Sequence, residues 1–192
     1  MSVSRRRFIG TTAAMSALAA TPALGARSSA LDQTDFAGSI DLNSGPVNGP
    51  RVEKIMLLAS QYALRMEHWH LGTEHLFFAL VQESELSGSH WIDDLGMTSE
   101  EIDCVINYVV GFGKTTDRPM PTASDLIASD NLVACLEQST QAAAELGHNA
   151  IEPQHLMLGI IDSFGTTANM LLNEMWIERG SIRHVALESL GA

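Results

Sequence analysis

The chain has 192 residues, with 11 basic against 23 acidic side chains and a formal charge of −12. Removing residues 1–26 takes away three arginines and no acid, which leaves 8 basic against 23 acidic side chains, a formal −15. Such a surface repels phosphate backbones and excludes nucleic-acid binding as the main activity, while the roughly 140 residues beyond the leader and tether suffice for one domain with a real core.

The chain opens Ser4-Arg5-Arg6-Arg7-Phe8-Ile9-Gly10, followed by TTAAMSALAATPALGA. A basic start, a mildly apolar run and small residues near a cleavage point make a secretory signal. The arginine pair, Arg5 and Arg6, and the Thr, Ser and Ala in the apolar run favour the twin-arginine route. A cut after Gly25 satisfies the small-residue rule, and cuts after Ala26 or Ala30 fit it too. Residues 1–26 are therefore expected to be a signal peptide and the mature form to be soluble and periplasmic or otherwise extracytoplasmic. Residues 27–50, rich in Ser, Gly, Asp, Asn and Pro, read as a tether with no pattern that buries a face. Export makes a bridge between Cys104 and Cys135 chemically open. Thirty intervening residues without framework spacing do not place them together, so two buried free thiols are the expectation.

Val52, Ile55, Met56, Ala59, Ala63 and Met66 recur at helical spacing and predict a helix over 51–67. Thr73 is placed to cap a second, running to about Glu83, with Leu76, Phe77, Leu80 and Val81 inward. A short helix follows from Ser89 to Leu95, ended by Gly96. Thr98-Ser99-Glu100-Glu101 reads as a capping box opening a fourth, with Ile102, Val105, Ile106 and Val109 on one stripe. Residues 111–130 form a linker. A second set of helices is predicted at about 130–146, 153–163, 167–175 and 181–190, with Pro153 acceptable in a first helical turn. No alternating strand is predicted anywhere.

The two sets are copies. Residues 52–110 and 132–190 align without a gap at an offset of 80, with 7 identities in 59 positions. What repeats is the apolar pattern: Ile92 on Leu172, Leu95 on Met175, Ile102 on Ile182, Val105 on Val185. Two histidine pairs repeat as well, His68 on His148 and His75 on His155. Fixed-period self-similarity of this kind marks a duplicated fold. The predicted fold is all-α: two pseudo-symmetric four-helix repeats, 51–110 and 131–192, packed as one eight-helix domain.

The best-kept stretches are Glu67 to Leu80, EHWHLGTEHLFFAL, and Glu145 to Ile160, ELGHNAIEPQHLMLGI. LGHN-x-I-x-x-x-HL-x-LG-I, with GTEHL in the first copy, resembles the Clp N-terminal repeat, over about residues 50–190. That family is the paired four-helix module at the front of Clp-type AAA+ unfoldases and of some stand-alone proteins. The resemblance implies an adaptor- or chaperone-like module that recognises proteins or peptides. Within Gly72-Thr73-Glu74-His75, Glu74 matches the glutamate that in some relatives helps bind the guanidinium of phosphoarginine, and a carboxylate suits guanidinium through paired charge-assisted hydrogen bonds. The second copy departs, with Glu152-Pro153-Gln154 in place of Gly-Thr-Glu, which argues against twofold recognition.

The catalytic alternatives have less behind them. Gly113-Lys114-Thr115 suggests a phosphate loop, but the position of its first glycine is Tyr108 and no strand precedes it; neither ATP binding nor an AAA+ motor is expected. No serine or cysteine stands in a nucleophile setting. The histidines with Glu74 could in principle ligate zinc for a metal-assisted hydrolase, yet H-E-x-x-H is missing and the duplicated placement points to architecture, such as a ring N–H holding a loop carbonyl. No metal or cofactor is expected. Trp91, Trp176, Met157, Met170 and Met175 read as core at helical spacing, and Trp69 as the best exposed contact. Thr73, Glu74, Trp69 and Gln154 are thus the candidate partner-binding residues of a non-catalytic module, with a structural subunit of a cell-envelope complex as a further alternative.

Overall fold

A computed structural model describes residues 46–113 and 120–192. The leader with Arg5 and Arg6, most of the tether, and Lys114 and Thr115 lie outside the described residues.

Each predicted helical segment forms, with shifted ends. The first copy holds α1 (Pro50–Arg65), α2 (Thr73–Ser87), a 3₁₀ segment (His90–Leu95) and α3 (Ser99–Val109). The second holds α4 (Asp130–Glu145), α5 (Pro153–Asp162), α6 (Thr167–Glu174) and α7 (Arg179–Leu190). The short helix expected over 89–95 is thus 3₁₀, closed by Gly96 in the left-handed region, whereas its counterpart α6 is α-helical. Thr98 does cap α3, its hydroxyl accepting the Glu101 N–H at 3.2 Å, but the Ser99 N–H is taken by Glu85 Oε1 from α2 at 2.7 Å. No described helix is long and apolar enough to cross a membrane.

α2 and α5 are buried almost all round, the pattern of helices at the centre of a core. Leu76, Phe77, Leu80, Leu156, Met157 and Ile160 are at most 1% exposed. α1 packs on α2 and α4 on α5, α2 touches α5, α3 lies against α6, and α7 against His90–Leu95. Each half therefore leans its last helix on the other half, and each fully buried leucine or isoleucine contributes about 1.5–3 kcal/mol.

Two features depart from the sequence reading. Four two-residue strands exist: β1 (Val47–Asn48), β2 (His70–Leu71), β3 (Ile127–Ala128) and β4 (Ala150–Ile151). They form parallel pairs crosswise between the copies, β1 with β4 and β2 with β3. Val47 N–H donates to Asn149 O and Gly49 N–H to Ile151 O, both at 3.1 Å; 80 residues on, Ile127 N–H donates to Trp69 O at 3.1 Å and Ser129 N–H to Leu71 O at 2.9 Å. The segment expected to be a tether through residue 50 is thus part of the fold from Val47. Two residues are too few for alternation to show, and pairing partners 57 and 103 residues apart leave no local signal. Second, Cys135 is buried and Cys104 exposed, both free, rather than both buried. Burial pushes the Cys135 thiol up to about 12.

The candidate site: two histidine turns and their pockets

Each copy turns from its first helix into its second through seven residues, 66–72 and 146–152, and a histidine stands in the first turn of the helix that follows. The turn needs a left-handed residue: Gly147 at φ 73° in the second copy, and Glu67 at φ 59° in the first. His75 then stands at the third position of α2 and reaches back to the N-cap, its Nδ1 accepting the Gly72 N–H at 2.9 Å. His155 does the same with the Glu152 N–H, also at 2.9 Å. The ring thereby performs the task that Glu or Gln performs in a capping box. Thr73 is not the cap expected of it. It is the first helical residue, buried, and its hydroxyl accepts the Ala168 N–H at 3.2 Å, tying α2 to α6.

The relay continues. His75 Nε2 lies 2.8 Å from His68 Nδ1, and His68 Nε2 lies 2.9 Å from Gly111 O. Its direction is determined from both ends. An amide N–H only donates, so His75 Nδ1 holds a lone pair; a carbonyl only accepts, so His68 Nε2 holds a proton. His75 therefore donates from Nε2 to His68 Nδ1, and both rings are neutral. His155 and His148 repeat the ring contact at 2.8 Å. Burial, with the neighbouring ring second, holds His75 down to about 3 and His155 to about 4. A ring N–H on a loop carbonyl does occur, but His68 supplies it, through His75.

This assignment bears on metal binding. Ligand atoms of His68, Glu74 and His75 lie within 4.8 Å of one another, the one such group of three found among the described residues. A metal needs a lone pair from each ring. His75 has none left, since Nδ1 receives an N–H and Nε2 carries the shared proton. The residues do not fit a metal without dismantling the helix cap.

Glu74 is nearly buried, and its carboxylate folds back over Gly72, within 2.4 Å of where a side chain there would begin. Burial pushes it above its ordinary value, against the smaller opposing pulls of its own backbone N–H, His68 and the Thr167 hydroxyl. Its contact of 3.3 Å with His75 Nδ1 is no ion pair, because that ring is neutral. Among the described residues no lysine or arginine pairs with it: Arg51 and Lys54 are drawn to Glu83, Arg65 to Asp103 and Arg183 to Asp162. Gln154, its counterpart, is buried and donates to Ser189 Oγ at 2.8 Å, with Oε1 unpartnered. In that copy the amide reaches α7 instead, and the residue in place of Gly72 is Glu152, whose carboxylate lies near Gly49.

Two open depressions lie at equivalent places. The first is lined by Glu67, His68, Trp69, His70, Glu74, Val110 and Gly113. The second is lined by Gly147, His148, Asn149, Ala150, Glu152 and Leu190. Of the candidate binding residues, Glu74 and Trp69 meet in the first depression, while Thr73 and Gln154 face neither. Trp69 is half-buried rather than exposed; the exposed tryptophan is Trp176, at 94%, with Met170 at 52% nearby in sequence. Only Met157 of the residues read as core is fully buried, with Trp91 and Met175 intermediate. A missed participant is Gly111, whose carbonyl ends the relay 43 residues from His68.

The Clp repeat (R) N-terminal domain family matches residues 49–175, two thirds of the chain and both histidine turns. The chain belongs to that family. The Clp repeat domain is 30% identical over 145 residues to the negative regulator of genetic competence ClpC/MecB of Bacillus subtilis, covering 74% of this chain and 17% of that protein. It is 28% identical over 142 residues to the chaperone protein ClpB of Oceanobacillus iheyensis, again 74% of this chain and 17% of the other. It thus spans about a sixth of the length of these relatives. Among solved structures, the N-terminal domain of ClpD from Arabidopsis thaliana superposes with a TM-score of 0.62 at 15% identity, covering 74% of this chain and 96% of that one. The Hsp104 N-terminal domain of Candida albicans gives 0.61 at 14%, covering 76% and 92%. These likenesses establish the all-α repeat fold.

Proposed function

We propose that this Clp repeat domain is a non-catalytic, protein- or peptide-binding module, adaptor- or chaperone-like, working outside the cytoplasm without an ATPase motor of its own. The twin-arginine-type leader supports export, and the failed phosphate-loop pattern at Tyr108 supports binding without nucleotide. The observation that carries the reading is the first depression: a desolvated carboxylate, Glu74, beside Glu67, Trp69 and Val110, with no lysine or arginine among the described residues that line it. A buried carboxylate without a cation is electrostatically unsatisfied, and a lysine or arginine side chain of an incoming segment would relieve it. The second depression differs, because its carboxylate, Glu152, is only half-buried and Gln154 is neutral and tied to Ser189. The module therefore uses one pocket for basic side chains, not two.

The test is binding of fluorescent peptides that carry one arginine or lysine between apolar residues. Wild-type protein binds them, Glu74→Gln weakens binding roughly tenfold, and Gln154→Ala leaves it unchanged. Equal binding by wild type and Glu74→Gln sinks the pocket assignment. Co-purification of the mature domain from its host under mild crosslinking then separates a single stoichiometric partner, as for an adaptor, from many chains, as for a holdase.

A further inference from the structure

The histidine relay of the first copy does more than cap a helix, because its far end holds the wall of the pocket. Gly111 O, the acceptor of His68 Nε2–H, lies between Val110 and Gly113, two residues that line the depression. At the other edge of this wall Gly113 N–H donates to Met66 O at 2.8 Å. The second copy has the same pair of rings at the same 2.8 Å, but among the described residues His148 makes no bond to a loop carbonyl.

Both ends of the first relay have determined donors, so the two rings together hold two protons and one internal bond. A third proton has one place to go. His75 Nδ1 is spent on Gly72 N–H, and the ring is fully buried. His68 Nδ1, on a partly exposed ring beside the depression, is the remaining site. Once protonated, it would set N–H against N–H across 2.8 Å.

We propose that His68 is a proton-operated latch on the first pocket: uptake of a proton from solvent at Nδ1 breaks its bond with His75, turns the ring, and releases Gly111. The charged and titratable groups around it favour that turn. Glu74 shares the depression and offers carboxylate oxygens to the new N–H, and Glu67 and His70 also line it. From α1 the Tyr62 ring meets His75 edge-on at 5.8 Å, with its hydroxyl given to Asp103 on α3, which also takes Arg65. The released wall carries Val110 and Phe112, the latter 62% exposed, so acidification reshapes the first pocket and leaves the second unchanged. The latch bears on ligand binding only if the pocket binds peptides, as proposed above; the loop motion itself is independent of that reading.

Amide hydrogen exchange and ¹⁵N–¹H spectra of the purified protein without peptide, from pH 7.5 to 5.5, test this. His68→Gln keeps an acceptor and a donor but cannot titrate. In wild type and in His148→Gln, protection at Gly111 and Gly113 falls roughly tenfold beyond the intrinsic pH effect, with the midpoint of the His68 ring titration. In His68→Gln it does not. A wild-type loop unchanged across this range overturns the latch. So does an equal loss in both copies, or a midpoint that differs from that of the His68 ring, and these two readings stand even if His68→Gln fails to fold. Failure of peptide binding with a titrating loop would count against the function and not against the latch.

Discussion

Trp176 stands where the first copy has Gly96, and both are left-handed, at φ 56° and 63°. Glycine takes this conformation freely, while a side chain with a Cβ pays about 1–2 kcal/mol in crowding. The Trp176 ring is 94% exposed and recovers little of that by packing. Trp176→Gly is therefore expected to stabilise the domain by about 1 kcal/mol in urea unfolding. A loss of stability instead would mean that the indole is held by contacts in the folded protein.

The second repeat contains a closer helix contact than the first. A side chain on Gly159 would begin 2.1 Å from Ser139 Oγ and 2.5 Å from Cys135 O, where α5 meets α4. The equivalent first-copy residues are Ala79 and Ala59, both fully buried. Gly159→Ala should cost about 2 kcal/mol by overpacking, despite the better helix propensity of alanine. Ser139→Ala should not rescue it, because the Cys135 carbonyl stays in place. Denaturant midpoints of the single and double variants decide this.

Glu83 has a side chain only 2% exposed, and Arg51 grips it through Nε at 3.2 Å and Nη2 at 2.7 Å, with Lys54 at 3.7 Å. This anchors the start of α1 to α2. Glu83→Ala leaves a partly desolvated guanidinium without its anion and should cost about 2 kcal/mol, less than a fully buried pair because Arg51 keeps some water. Thermal unfolding of Glu83→Ala against Glu53→Ala, an exposed acid of the same helix pair, separates this from general loss of charge.

Acid should weaken the fold through the two cap histidines. His75 and His155 are held down to about 3 and 4, below the value near 6.5 of an unfolded chain. The unfolded state then binds more protons, so stability is full above about pH 6.5 and falls as pH drops from there toward the folded values. Between pH 7 and 5 each contributes a loss of about 2 kcal/mol. Urea unfolding at pH 7.5, 6 and 5 should show a declining midpoint. A midpoint unchanged at pH 5 would contradict the neutral relay.

Where signals were local, the sequence was legible. The helices follow from apolar spacing, the duplication from the 80-residue offset, and the cap of α3 from Thr98 and Glu101. The histidines stood out because they repeat. Their chemistry did not: whether His75 donates or accepts depends on Gly72 and on a carbonyl beyond α3. Trp69 and Trp176 were misjudged for a related reason, since exposure is set by which helix covers a turn. Thr73 was read as a cap, and its hydroxyl instead serves α6, 95 residues away.

The amino-acid sequence by itself determined that this chain is a twofold repeat of helices and which stretches are helical, because 3.6-residue periodicity and end signals act over a few residues. Tertiary structure decided how the copies lock together and which pocket holds a desolvated acid. The crossed strand pairs β1–β4 and β2–β3 need partners that only folding brings within 3.1 Å. Likewise, a carboxylate at 74 and an amide at 154 differ by one group, but it is the elements packed around them, the turn that carries Trp69 beside one and α7 beside the other, that leave Glu74 lining a pocket and Gln154 bonded to Ser189.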